Sequence, residues 1–304
     1  MEYTEISYEK KEGVAYITLN RPEKLNSLST GPTGLPRQIA QAADEADADL
    51  EVKVVVIKGA GRAFSAGYDL SLTGAGGVAQ PGEPRVKPWH LKSLADRQSL
   101  DWAEEEMDLR KIWRTIWENS KPFIAQVHGF CLAGGMDLAN VCDIVIASDD
   151  AVFGYPPVRY GSITVTPTWW LTVGMHKAKE MVLTGNLFTA KEMYDFGMVN
   201  KVVPRDKLDE EVLKFTDEMV KMPLSGQRLN KLAVNDYFDT LGLQAAIQHV
   251  NILGGIVHTS RDEFGKEFWR IVEEKGVKAA LEFRDARFVK SGDDIGQELR
   301  ARKY

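Results

Sequence analysis

This sequence predicts an α/β fold, and three observations carry the prediction. VKVVVIKG (52–59) and PFIAQV (122–127) are nearly unbroken apolar runs, the pattern of strands buried on both faces of a sheet. Strand-like and helix-like periodicities alternate along the chain, which implies right-handed crossovers around a layered core. Of the 304 residues 44% are hydrophobic, enough for one large domain or two small ones.

Taken in order, ISYEKKEGVAYITLN reads as a hairpin with alternating apolar positions whose second strand ends at Asn20. Residues 33–48 have helical spacing and lead into the 52–59 strand. Between Ser71 and Pro88 the chain is rich in Gly and Pro without periodicity and reads as a mobile loop. Helical spacing returns over 89–119, where Trp102, Leu109, Ile112, Trp113, Ile116 and Trp117 form an apolar stripe of the core or interface kind.

PFIAQV then turns through glycines into LAGGMDLANVCD, a glycine-opened helix with Asp137 in its first turn. Helix-start amides point outward, so a developing oxyanion placed there gains hydrogen bonds and the helix dipole. The competing reading of Asp137 is a first-turn acid that merely suits that dipole. GAGRAFSAGYDL (59–70) follows the earlier strand with a second small-residue loop and a second set of exposed amides. Further on come the strand DIVIAS, a Pro- and aromatic-rich loop over VFGYPPVRYGSITVTPTWW, the segments AKEMVLTG and AKEMYDFG, and the strand VNKVVP. Long amphipathic helices run to about residue 290, followed by a polar tail.

A net charge of −6 without a basic block argues against nucleic acid or an anionic membrane as partner. The polar, acidic start is no signal peptide and no run of about 18 apolar residues exists, so a soluble, cytoplasmic protein is expected. Cys131 and Cys142 are too few for a disulfide framework and read as buried free thiols. No G-x-G-x-x-G opens a helix after the first strand, which disfavours a dinucleotide-binding dehydrogenase.

Four motifs in one order, NRPEKLNSLS (20–29), GRAFSAGYDL (61–70), VHGFCLAGGMDLANVCDIVIAS (127–148) and KEMVLTGNLFTAKEMYDFGMVNKVV (179–203), resemble the crotonase, or enoyl-CoA hydratase/isomerase, superfamily. The resemblance implies a crotonase-like ββα spiral core over 1–205, with a mobile insertion at 71–100, and a C-terminal helical oligomerisation region over 206–304. It also implies an acyl-CoA substrate, a homotrimer or a hexamer built as a dimer of trimers, and no metal or cofactor beyond the CoA of the substrate.

By the same resemblance, the thioester carbonyl would sit between the backbone amides of Ala66 and Gly134, and CoA would lie along Lys24, Leu25, Gly67, Tyr68 and Asp69. Asp137 takes the place of the first of two glutamates that hold water in a typical hydratase of the family, and Pro157 takes the place of the second. A proline side chain neither gives nor accepts a proton, so the two-carboxylate mechanism does not operate as written. An Asp at the first position occurs in family isomerases.

Three outcomes follow. Asp137 works with another partner, drawn from His90, Tyr155, Tyr160, Arg159 or the Glu104–Glu106 run, in a lyase or isomerase for an unusual acyl group. Or the enzyme hydrolyses a carbon–carbon bond of a cyclic β-dicarbonyl thioester. Or the site is a catalytically weak acyl-CoA binder. Tyr155, Tyr160, Trp169 and Trp170 suggest a bulky or cyclic acyl group.

Overall fold

The computed structural model describes residues 3–29, 33–71, 113–164, 166–259 and 262–288. Strands β1 (Ile6–Lys11) and β2 (Val14–Leu19) form the expected hairpin, with Glu12 and Gly13 both at positive φ in the two-residue turn. Helix α1 (Leu35–Ala48) leads to β3 (Val54–Gly59), which pairs parallel to β2. Strand β4 (Phe123–Val127) pairs parallel to β3. β5 (Phe130–Leu132), helix α2 (Gly134–Val141) and β6 (Ile144–Ser148) follow, and β6 lies beside β4.

Next come β7 (Val152–Gly154), a 3-10 turn (Pro156–Tyr160), α3 (Trp169–Val173), α4 (Met175–Thr184), β8 (Leu187–Thr189), α5 (Ala190–Asp195) and β9 (Lys201–Val203). Helices α6 (Leu208–Met219), α7 (Leu224–Thr240), α8 (Leu243–Thr259) and α9 (Glu263–Ala286) end the described chain. Helix α5 starts at Ala190 because Thr189 and Glu192 cap each other reciprocally.

The main sheet has the order β1-β2-β3-β4-β6-β9 and is parallel except for β1; β5-β7-β8 form a second sheet. The period of two along a strand divides the main sheet's residues between two cores. Val55, Ile57, Phe123 and Ala125 face the core that holds α1 and α2, whereas Val54, Val56 and Ile124 face Leu208 and Val212 of α6. Helix α6 therefore packs on the sheet although it lies beyond residue 205.

Several expectations need correction. The 152–170 stretch is not all loop, since β7 and the 3-10 turn lie within it. Strands β5 and β8 were not anticipated, because three residues are too few to show an alternation. Residues 113–118 are helical with Trp113 and Ile116 buried. The 72–100 part of the expected insertion, with Trp102, Leu109, Ile112 and the polar tail, lies outside the described residues. Both cysteines are buried and free. Among the described residues no helix is long and apolar enough to cross a membrane.

Candidate active site

Two loops far apart in sequence are laced together along their backbones. Phe64 N–H donates to His128 O (2.8 Å), Ser65 N–H to Phe130 O (2.9 Å) and Leu132 N–H to Ser65 O (3.0 Å). On the opposite edge, Leu28 N–H donates to Gly67 O (2.8 Å) and Asp69 N–H to Leu28 O (2.9 Å). Residues 65–69 thus run as a ribbon between the 25–28 segment and the glycine turn.

Contact there is too close for side chains. A Cβ on Gly134 would lie 2.6 Å from Tyr68 Cε2, and one on Gly135 would lie 2.6 Å from Ser65 O. Gly67 is at φ +93°, and a Cβ there would meet Ala133 Cβ at 2.7 Å. Ala133, which precedes the helix, is held at φ 50° and ψ −124°, a conformation that costs a non-glycine residue about 1–3 kcal/mol and that marks functional turns.

The direction of each amide decides what the ribbon can offer a ligand. Ala66 N–H already donates to Leu25 O at 3.0 Å, so its expected role as oxyanion donor is corrected: it anchors the 20–29 loop. Because Leu28 bonds both Gly67 O and the Asp69 N–H, the intervening Tyr68 amide is turned to the other side of the ribbon, away from Leu28. Gly134 N–H, at the first position of α2, has no acceptor within its own helix.

Asp137 is fully buried one turn further on, and its backbone N–H caps back to Ala133 O at 3.0 Å. Its Oδ1 accepts two hydrogen bonds, from Thr164 Oγ1 (2.9 Å) and from Trp169 Nε1 (3.1 Å). Tyr155 stacks on Trp169, with ring centroids 6.2 Å apart, and its hydroxyl donates to Ile163 O at 3.1 Å. Burial, and then the neighbouring Asp137, push the Tyr155 hydroxyl well above its ordinary range, so it stays protonated and braces the Thr164–Trp169 side of the site.

Two other candidate partners, Tyr160 and Arg159, are engaged elsewhere. Tyr160 stacks on Phe268 of α9 at 4.3 Å, and Leu70, at the end of the 59–70 loop, joins the same cluster. Arg159 donates to Thr184 O (3.0 Å) and to Asn186 Oδ1 (2.9 Å). Pro157 sits half-buried in the 3-10 turn. His90 and Glu104–Glu106 lie outside the described residues.

Asp69 is turned inward, and this corrects its expected place in the ligand groove. Its Oδ2 takes Arg21 Nη2 (2.9 Å) and Lys24 Nζ (3.1 Å), while Oδ1 takes Ser71 N–H at 3.1 Å. Burial alone would push this carboxyl up, yet the bonds from Ser71, Lys24 and Arg21 more than offset it and hold it below the usual range. Lys24 and Leu25 remain at the rim, Leu25 in the left-handed region.

Asn26 was missed by sequence reasoning. Its side chain accepts from Arg21 N–H (2.9 Å) and donates to Ala60 O (2.9 Å) and Ala63 O (2.8 Å), which ties the 20–29 loop to the 59–70 loop. Its short polar side chain beside Leu25 in a turn was the available signal. Thr164 and the Tyr68 amide left no local signal, because their roles come from pairing across the fold.

Comparison with known proteins places this geometry. The enoyl-CoA hydratase/isomerase family model matches residues 9–88 and 86–289. A probable mitochondrial enoyl-CoA hydratase of Dictyostelium discoideum is 36% identical over 91% of this chain and 87% of its own length. A putative enoyl-CoA hydratase of Mycobacterium tuberculosis, EchA13, is 32% identical over 93% of both. Among solved structures, an enoyl-CoA hydratase/isomerase of Xanthobacter autotrophicus Py2 superposes with a TM-score of 0.81 at 32% identity, covering 94% of this chain and 99% of that one. An enoyl-CoA hydratase of Mycobacterium smegmatis gives 0.82 at 26% identity, covering 95% and 96%. Buried sheet, paired glycine loops and acid-bearing helix are therefore those of a crotonase fold, and the chain belongs to the enoyl-CoA hydratase/isomerase family.

Proposed function

We propose that the chain shifts a carbon–carbon double bond in a CoA thioester with a bulky or cyclic acyl group, using Asp137 alone to move the proton. Asp137 would take the α-proton of a β,γ-unsaturated thioester. The electron pair passes to the carbonyl oxygen, giving a dienolate, and the same proton returns to the γ-carbon. No water is consumed, so one carboxylate suffices where a hydratase uses two. The dienolate oxygen would lie between the amides of Tyr68 and Gly134, each donor contributing on the order of 3 kcal/mol to the transition state.

The observation that carries this reading is the buried Asp137 carboxylate, whose Oδ1 takes two neutral donors, with Pro157 in place of the second acid. A bulky acyl group is supported by Tyr155 and Trp169 beside Asp137, with Trp170 edge-on to Trp169. CoA would run past Lys24 and Leu25 and over Gly67 and Tyr68. Homotrimers, alone or paired, would cover the exposed Leu229, Leu232 and Tyr237 of α7 and Ile252 and Ile256 of α8, within the C-terminal region assigned to oligomerisation.

The test supplies linear and cyclohexyl-substituted β,γ-unsaturated CoA thioesters in heavy-oxygen water. Isomerisation without uptake of the heavy oxygen, faster for the ring-bearing substrate and lost by about 10³-fold in Asp137→Asn, is the expected result. Incorporation of the label at the β-carbon, or full activity in Asp137→Asn, would overturn it.

A further inference from the structure

We infer that the proton moved by Asp137 is carried on Oδ2 and never on Oδ1, and that Thr164 and Trp169 are the positioning residues that enforce this. The inference rests on the reading of Asp137 as the proton carrier. An indole N–H can only donate. With Trp169 Nε1 at 3.1 Å, protonating Oδ1 would turn it into a poorer acceptor and weaken the bond of a buried donor, whereas a proton on Oδ2 leaves Oδ1 a carbonyl-type acceptor. Thr164 Oγ1, at 2.9 Å from the same oxygen, adds a second donor that would have to rotate away.

Trp169 has little freedom to yield. It is fully buried, stacked on Tyr155, and set edge-on against Trp170 at 5.9 Å. One residue before it, Thr168 Oγ1 accepts from Asn140 Nδ2 at 3.0 Å, and Asn140 lies three residues beyond Asp137 on the same face of α2. Two ties, Asp137–Trp169 and Asn140–Thr168, thus bind α2 to α3 side by side and fix which carboxylate oxygen is held.

Cys131 of β5 and Tyr155 of the turn after β7 both face Asp137, and burial keeps both neutral, so neither adds a charge beside the carboxylate. Removing either donor makes Asp137 more basic.

The experiment follows the pH dependence of kcat/KM for the isomerisation of the cyclohexyl-substituted thioester. Thr164→Val and Trp169→Phe each move the acidic limb upward by about one pH unit, and Thr164→Ser restores the original limb. In the unaltered protein, the Trp169 indole proton resonance keeps its hydrogen-bonded position through the titration of the carboxyl. A uniform loss of rate with an unmoved limb, or an indole resonance that shifts to an unbonded position on acidification, would overturn the inference. Asp137→Asn separates the two levels. If it retains full turnover, the functional reading fails; if it is inactive while the limbs stay put, only the assignment of the oxygen and its donors fails.

Discussion

Gly134→Ala is the sharpest perturbation of the loop junction. The new Cβ would stand 2.6 Å from Tyr68 Cε2 and 2.8 Å from Leu28 Cδ1, so the Tyr68 ring must retreat by most of an ångström to reach ordinary contact. Its neighbours are side chains, so the cost in stability is that of overpacking, about 1–3 kcal/mol. The shift also moves the Tyr68 and Gly134 amides apart, and a misplacement near 1 Å lowers the chemical step by about 10²-fold. Gly135→Ala makes the contrast, because its Cβ would meet the Ser65 carbonyl at 2.6 Å, an atom already pinned by Leu132 N–H. Backbone cannot swing aside, so the second variant should lose more stability than the first. The assay pairs urea unfolding with kcat and KM for an acyl-CoA and with the affinity for free CoA. Gly134→Ala should lose kcat while keeping CoA affinity, since the Lys24–Leu25 rim is untouched. Undiminished kcat together with unchanged stability would refute the close apposition of the two loops.

Other outcomes follow from the same structure. His128 is buried against Gly61 O, and burial first, then Arg205, lowers its pKa to about 4. The unfolded chain binds this proton near the ordinary value of about 6.5, so stability is full above that pH and falls by about 3 kcal/mol as pH drops toward 4. Urea titrations across this window should show the loss in the natural chain and flatten it in His128→Gln. Lys231 is nearly buried and joins Asp143 (2.9 Å) to the carbonyls of Ile116 (3.1 Å) and Lys121 (3.0 Å). Lys231→Met takes from Asp143 its cationic partner and leaves it the Phe123 N–H (2.7 Å), and should cost about 1–3 kcal/mol by chemical denaturation, with Asp143→Asn in the same chain returning part of it. Asp69→Asn releases Arg21 and Lys24, and it should raise KM for acyl-CoA more than it lowers kcat.

How far the sequence could be read depends on how local each cause is. The hairpin, α1 and the buried β3 and β4 follow from periodicity within a few residues, and the glycine pair before Asp137 was legible because glycine next to a helix start admits few other uses. Short strands β5 and β8 were not legible, since their identity comes from pairing with β7. The donor assignment at Ala66 failed for the same reason. Which way an amide points in 65–69 is fixed by Leu28 and Cys131, residues that no local pattern links to it. Likewise Trp169 read only as an acyl-pocket aromatic, and nothing local told that its N–H also reaches Asp137 across 32 residues, as Thr164 does across 27. Tyr155 also changed role, from proton-transfer partner to brace, once its hydroxyl was seen to donate to Ile163 O.

The proposed grip of the two loops on one oxygen is tested most directly by isotope-edited infrared spectroscopy of a thioester labelled at its carbonyl carbon. On binding, the carbonyl stretch should move to lower frequency, as expected for an oxygen taking two backbone hydrogen bonds, and the shift should shrink in Gly134→Ala. A bound carbonyl that absorbs where the free thioester does, in a complex shown to be saturated, would contradict the account.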